Sequence, residues 1–175
     1  RSNLFWSPIL GGNEYDKFML GFALHNFSVP SPRFQFLIAP MYSFGGKRIS
    51  GIAEINRTWL PKRNLKLSRI GISLRSFKND TLGRNDGYYV AILPYWTAKI
   101  GNRIGGPISQ TIRVQSMYRL DVSRPKQREL IGGYLQYDFD FSKEDHKVNL
   151  QVRTDYAANP VNSDNFSRSS VAATY

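Results

Sequence analysis

The 175-residue chain contains no cysteine, which excludes a disulfide scaffold and a cysteine-ligated zinc site but leaves the redox compartment open. No stretch approaches the roughly 18 consecutive apolar residues of a membrane helix. Histidine is scarce, with only His25 and His146, and acidic residues are few. Asp and Glu number 13 against 24 Lys and Arg, for a formal net charge of +11. An excess of that size calls for a phosphate-bearing partner or a compartment that tolerates it. Helical periodicity is nearly absent too.

A period of two fills most of the chain instead, the signature of strands with one apolar face. Phe18, Leu20, Phe22 and Leu24 alternate with Lys17, Met19, Gly21, Ala23 and His25. Phe34, Phe36, Ile38, Tyr42 and Phe44 form the next apolar row, interrupted by Pro40, where a bulge or a sheet edge is expected. Further rows run through Ala53 and Ile55; Ile70, Ile72 and Leu74; Ile112, Val114 and Tyr118; Ile131 to Phe141; and Val148 to Tyr156. Tyr88–Ala98 is apolar on both rows and is expected to be covered on both sides. Short turn signals separate the segments: Pro30-Ser31-Pro32, Gly45-Gly46, Asn79-Asp80, Asn85-Asp86-Gly87, Gly105-Gly106-Pro107, Lys143-Glu144-Asp145 and Asn159-Pro160. The pattern predicts about nine strands of about 8–11 residues, close to the length that crosses a bilayer. Short links make them an antiparallel up-and-down meander.

Alternation alone permits an apolar face turned inward to a soluble core or outward to lipid. Two features favour lipid and a transmembrane β-barrel, or a large part of one, over residues 1–175 as a single domain. The polar rows are strongly charged across neighbouring segments, so Glu54, Arg69, Arg75, Arg113, Arg119, Asp138, Asp140, Arg153 and Asp155 are expected to line a lumen. Phe18, Leu20, Phe22, Phe36, Ile38, Ile70, Ile72, Leu74, Ile112, Val114, Leu135 and Leu150 are expected to face lipid. The apolar rows also end in aromatics, and Phe44, Tyr95, Trp96, Tyr118, Phe139 and Tyr156 suit an interfacial girdle. Turn cations (Lys47, Arg48, Lys62, Arg63, Arg124, Lys126 and Arg128) suit anionic headgroups. Nucleic-acid binding is disfavoured, because a stacking platform would mix aromatics and arginines on one face. The start at Arg1 and the strand-like ending Val171–Tyr175 suggest a piece of a longer protein.

The run WSPILGGNEYDKFMLG, Trp6 to Gly21, and the run APMYSFG, Ala39 to Gly45, followed by Lys47 and Gly51, carry a resemblance. Over about the first 60 residues the chain resembles the barrel-like C-terminal region of bacterial outer-membrane-associated gluzincin metallopeptidases related to membrane alanyl aminopeptidases. The resemblance implies an outer-membrane location in a Gram-negative bacterium and a role in anchoring or scaffolding a peptidase domain outside this chain. Its partners would be membrane lipid and the remainder of the parent polypeptide. A gluzincin holds zinc with His-Glu-x-x-His on a helix. His25 is followed by Asn26 and His146 by Lys147, so any zinc belongs to that other domain, with no catalytic, metal or cofactor residue here.

Other signals have plainer readings. Asp138 and Asp140, two apart on one row, read better as partners of the arginines than as a metal or acid–base pair. His25 reads as an ordinary hydrogen-bonded residue. Gly11-Gly12 and Gly105-Gly106 lack the phosphate-loop form and read as turns. Two rival functions remain: an anion-preferring pore with an arginine-rich lumen, and a soluble barrel that binds an apolar ligand.

Overall fold

A computed structural model describes residues 3–61, 65–78, 87–101, 107–123, 126–143, 146–160 and 164–174. Several expected turns (Asn79-Asp80, Asn85-Asp86, Gly105-Gly106 and Glu144-Asp145) and the cations Lys62, Arg63 and Arg124 lie outside them, as do the side chains of Lys126 and Arg128. The described residues form ten strands and no helix. These are β1 (Phe5–Asn13), β2 (Lys17–His25), β3 (Phe34–Ser43), β4 (Arg48–Trp59) and β5 (Leu65–Lys78), then β6 (Tyr88–Ile100), β7 (Ile108–Ser123), β8 (Lys126–Lys143), β9 (His146–Asn159) and β10 (Asp164–Thr174). They make one sheet in chain order, every neighbouring pair antiparallel. The meander is as expected, with strands up to 18 residues long. The sheet is not closed into a barrel, and β1 and β10 are its edges.

Among the described residues no second layer packs on this sheet, so it lacks the two-layer core of an ordinary soluble domain. The accessible area is 12210 Å², against roughly 8,700 Å² for a compact monomer of this mass. The buried strand residues lie mostly on one face. Met19, Ala23, Ala39, Met41, Ala91 and Leu93 share it with the buried polar residues Ser43, Ser50, Asn56, Thr111, Gln136 and Asp138; only buried Ala98 faces the other way. Crowding on that face, with exposure on its opposite, marks it as the concave side.

Pro40 lies inside β3, flanked by β2 and β4, rather than at an edge. The β2–β3 register is the same on either side of it (Gly21 with Met41, Leu24 with Ile38), so there is no bulge either. The ladder simply lapses where the proline has no N–H to give. Pro94 does the same between Ile92–Tyr118 and Tyr95–Gln115. In β1, by contrast, the register runs unbroken through Pro8, so its missing donor turns toward the open edge, where proline costs no ladder bond.

β6 departs from expectation as well. Leu93 and Ala91 are buried on the concave side, but Pro94 and Trp96 are exposed on the other, so apart from Ala98 at its far end the strand is covered on one side only.

Candidate functional site

Register decides which residues share a face, because directly paired residues point the same way. One row runs Thr58, Arg69, Thr97, Arg113, Gln136, Arg153 and Ser170 from β4 to β10, setting an arginine on every second strand. The neighbouring row runs Gln35, Asn56, Gly71, Tyr95, Gln115, Tyr134, Asp155 and Arg168. All nine residues expected on a polar lining (Glu54, Arg69, Arg75, Arg113, Arg119, Asp138, Asp140, Arg153 and Asp155) fall on this concave face.

Their charges are matched locally. Arg113 Nη1 lies 3.4 Å from Asp138 Oδ2, Arg119 Nε 2.7 Å from Asp121 and Arg153 Nη2 2.6 Å from Asp155. Asp138 Oδ1 also accepts from Gln136 Nε2 at 2.8 Å and Gln151 Nε2 at 2.9 Å, while Asp140 accepts from Asn149. Among the described residues no group of three His, Cys, Asp or Glu gathers as for a metal. Arg119 also lies over the Tyr89 ring at 4.4 Å, and Arg153 over Tyr134 at 4.2 Å. His25 accepts the Phe27 amide on Nδ1 at 3.2 Å and lies between the rings of Phe5 and Phe27.

The opposite, convex face carries all twelve residues expected to be apolar-facing. Phe18, Leu20, Phe22, Ile38, Ile70, Ile72, Leu74 and Leu135 are exposed there, with Phe36, Ile112, Val114 and Leu150 beside them. Among the described residues of this face, charges occur only near strand ends, at Arg57, Lys78 and Glu129. Five of the six expected girdle aromatics (Phe44, Trp96, Tyr118, Phe139 and Tyr156) belong to it.

Tyr95 does not. It lies on the concave face, where its hydroxyl donates to Glu54 Oε1 at 2.5 Å. Trp96 already occupies the convex side, and consecutive strand residues point oppositely. Gly71, opposite Tyr95, makes the reach possible: a Cβ there would sit 2.6 Å from Tyr95 Cζ.

Sequence reasoning missed Asp16, in the β1–β2 turn. It is fully buried and ties five strands together at one end of the sheet. Its carboxylate accepts from Asn13 Nδ2 at 3.0 Å, Ser50 Oγ at 3.2 Å and the Lys78 amide at 2.9 Å. Its carbonyl accepts from Ser43 Oγ at 3.0 Å and the Gly45 amide at 3.1 Å. Burial pushes the Asp16 pKa up, but the bonds from Asn13, Ser43, the Lys78 amide and Ser50 outweigh it and hold the pKa below the ordinary value. The sequence signal was Asn13 three residues ahead of Asp16, an Asx turn in which Asn13 Oδ1 accepts the amides of Tyr15 and Asp16.

Comparison with known proteins finds no matching family model, no matching curated protein and no matching solved structure.

Proposed function

We propose that the sheet is the wall of an outer-membrane-type β-barrel whose convex face meets lipid and whose concave face lines a polar interior. The observation that carries this is the apolar band on the convex face. Phe44 N–H donates to Phe18 C=O, both on the convex face, so β3 lies to the right of an upward-running β2 seen from that side. With strands spaced ~4.8 Å apart, rising ~3.3 Å per residue and tilted right-handedly by ~40°, the registers convert to heights. Phe34, Trp59, Phe139 and Phe141 then fall near one level, and Phe18, Tyr42, Phe44, Tyr118 and Tyr156 near a second, about 20 Å away. Between them the described convex residues carry no Lys, Asp or Glu, and their one arginine, Arg57, lies at the inner margin of the first level. A band about 25 Å tall between aromatic girdles is what a bilayer selects. Trp96 sits inside the band rather than on either level.

A soluble barrel that binds an apolar ligand would need the apolar rows on the concave side, where this sheet keeps its arginines and carboxylates. The row Arg69, Arg113 and Arg153 favours, as a second reading, an anion-preferring lumen. Anchoring of a metallopeptidase domain rests on the resemblance of Trp6–Gly21 and Ala39–Gly45 alone.

The test uses the three tryptophans, all convex: Trp6, Trp59 and Trp96. Single-tryptophan forms folded into vesicles with bromine at graded acyl depths should rank Trp96 deepest, Trp6 next and Trp59 shallowest. Absence of bromine quenching at all three sites would refute the membrane assignment. Quenching in another depth order would refute the tilted register.

A further inference from the structure

Resting on that reading, we propose that one rim of the sheet, built around Arg33, Arg57 and Trp59, binds the phosphate groups of anionic lipid headgroups. The meander puts the β2–β3, β4–β5, β6–β7 and β8–β9 connections at one end and the remaining turns at the other. The two ends differ in charge. At the first, the described cations are Arg33, Arg57, Lys66, Lys99 and Lys147, against Asp140, which is bonded to Asn149; Lys99, Lys147 and Asp140 are all turned to the concave face. At the second, Lys17, Lys47, Arg48, Lys78, Arg119 and Arg168 stand against Glu14, Asp16, Asp121, Glu129 and Asp155.

The five cations come from five strands or connections, yet the same tilt brings them within about 7 Å of one level, that of Phe34 and Trp59. Arg57 is exposed on the convex, lipid-side face, its guanidinium 5.3 Å from the Trp59 ring centroid. Arg33 lies at the same rim but across from Thr58, whose amide its carbonyl accepts at 2.7 Å, and so is turned to the concave side. Arg57 lies one strand period inside Trp59 on the same face, so its long side chain reaches outward past the ring: the ring takes the interface and the fork takes phosphate. The second rim has aromatics, but among its described residues the charges nearly cancel. The anionic leaflet is therefore expected at the Arg57 end.

The experiment uses the full chain, reduced to the single tryptophan Trp59, in phosphatidylcholine vesicles with trace dansyl-labelled phosphatidylglycerol or dansyl-labelled phosphatidylcholine. Energy transfer from Trp59 should report enrichment of the anionic label over the zwitterionic one. Arg33→Gln with Arg57→Gln should reduce that enrichment about fivefold per charge removed. Lys47→Gln with Lys78→Gln, at the other rim, should leave it unchanged. Equal transfer to both labels, or equal loss from either pair of substitutions, would overturn the proposal while leaving the membrane assignment standing. Displacement of the label by millimolar inorganic phosphate would also overturn it, in favour of a free-anion site. A chain that never inserts, with no bromine quenching of its tryptophans, would remove the membrane assignment and this rim together.

Discussion

Ile72 and Ser73 are adjacent in β5, near the middle of the apolar band, and point to opposite faces. Ile72 is 46% exposed on the convex side, between Ile55 and Pro94. Ser73 lies on the concave side between Glu54 and Leu93. Ile72→Arg in water would remove little, since an exposed surface substitution stays within about 0.5 kcal/mol. At a bilayer midplane it should cost about 2–4 kcal/mol, because the guanidinium has neither water nor a partner there. Ser73→Arg places the same charge at the same depth beside Glu54 and should cost less than about 1 kcal/mol. Gln136 would make a poor control, because Arg113 and Arg153 are its direct neighbours and a third guanidinium would repel both. The assay is reversible urea unfolding of the vesicle-embedded chain followed by tryptophan emission. Equal costs at the two positions, or a cost below about 0.5 kcal/mol at Ile72, would refute the assignment of faces to lipid and lumen.

Asp16→Asn should cost about 1.5–3 kcal/mol, because the bonds from Ser50 and the Lys78 amide lose their charged acceptor. The folded pKa of Asp16 is depressed, so its contribution is fully present above the ordinary carboxylate value near 3.9 and is lost as pH falls through the lower folded value. The stability gap between wild type and Asp16→Asn should therefore be flat from pH 7 to about 5 and narrow only below about 4; a gap that narrows between pH 7 and 6 would point to another group. Tyr95→Phe should cost about 1–2 kcal/mol in the same unfolding assay through loss of the bond to Glu54. Gly71→Ala should cost at least as much, since its methyl displaces the ring that makes that bond; additive losses in the double variant would disprove the shared cause. In the anion-pore reading, Arg113→Glu should lower anion preference in planar-bilayer conductance, and a chain with no conductance would end that reading.

The two faces were legible because each row is chemically uniform, and a period of two needs no long-range information. Ile131–Phe141 announces itself as a strand whatever it pairs with. Less was visible at the sheet's margins. β1 contains Pro8, Gly11 and Gly12, and β10 contains Ser167, Ser169 and Ser170, so neither has a clean apolar row; the expectation was about nine strands rather than ten. In sequence Tyr95 reads as one of the aromatics that end the apolar rows, but its place follows from Glu54, 41 residues away. Asp16 is likewise explained by Ser43, Ser50 and Lys78, which only folding brings to it. Closure depends on curvature accumulated over every strand and on what the edges meet, and local alternation encodes neither.

Register carries the consequences of this design. A slip of one residue in β5, β7 or β9 would turn Arg69, Arg113 or Arg153 to the convex face and bury Ile70, Val114 or Val152 on the concave one. In lipid each such arginine would cost about 2–4 kcal/mol near the midplane, so the bilayer itself penalises the wrong pairing. In water the same slip would cost little more than lost ion pairs, worth about 0–1 kcal/mol each. If the sheet inserts as proposed, register before insertion must therefore come from the protein. Asp16 clamps β1 to β5 at one end, the Tyr95–Glu54 bond across Gly71 fixes β4 to β6, and Arg113–Asp138 with Gln151 fixes β7 to β9. These contacts join non-adjacent as well as adjacent strands, which pairing of backbones alone does not do. On the proposed membrane reading, the polar face aligns the strands and the apolar face, once in lipid, holds that alignment.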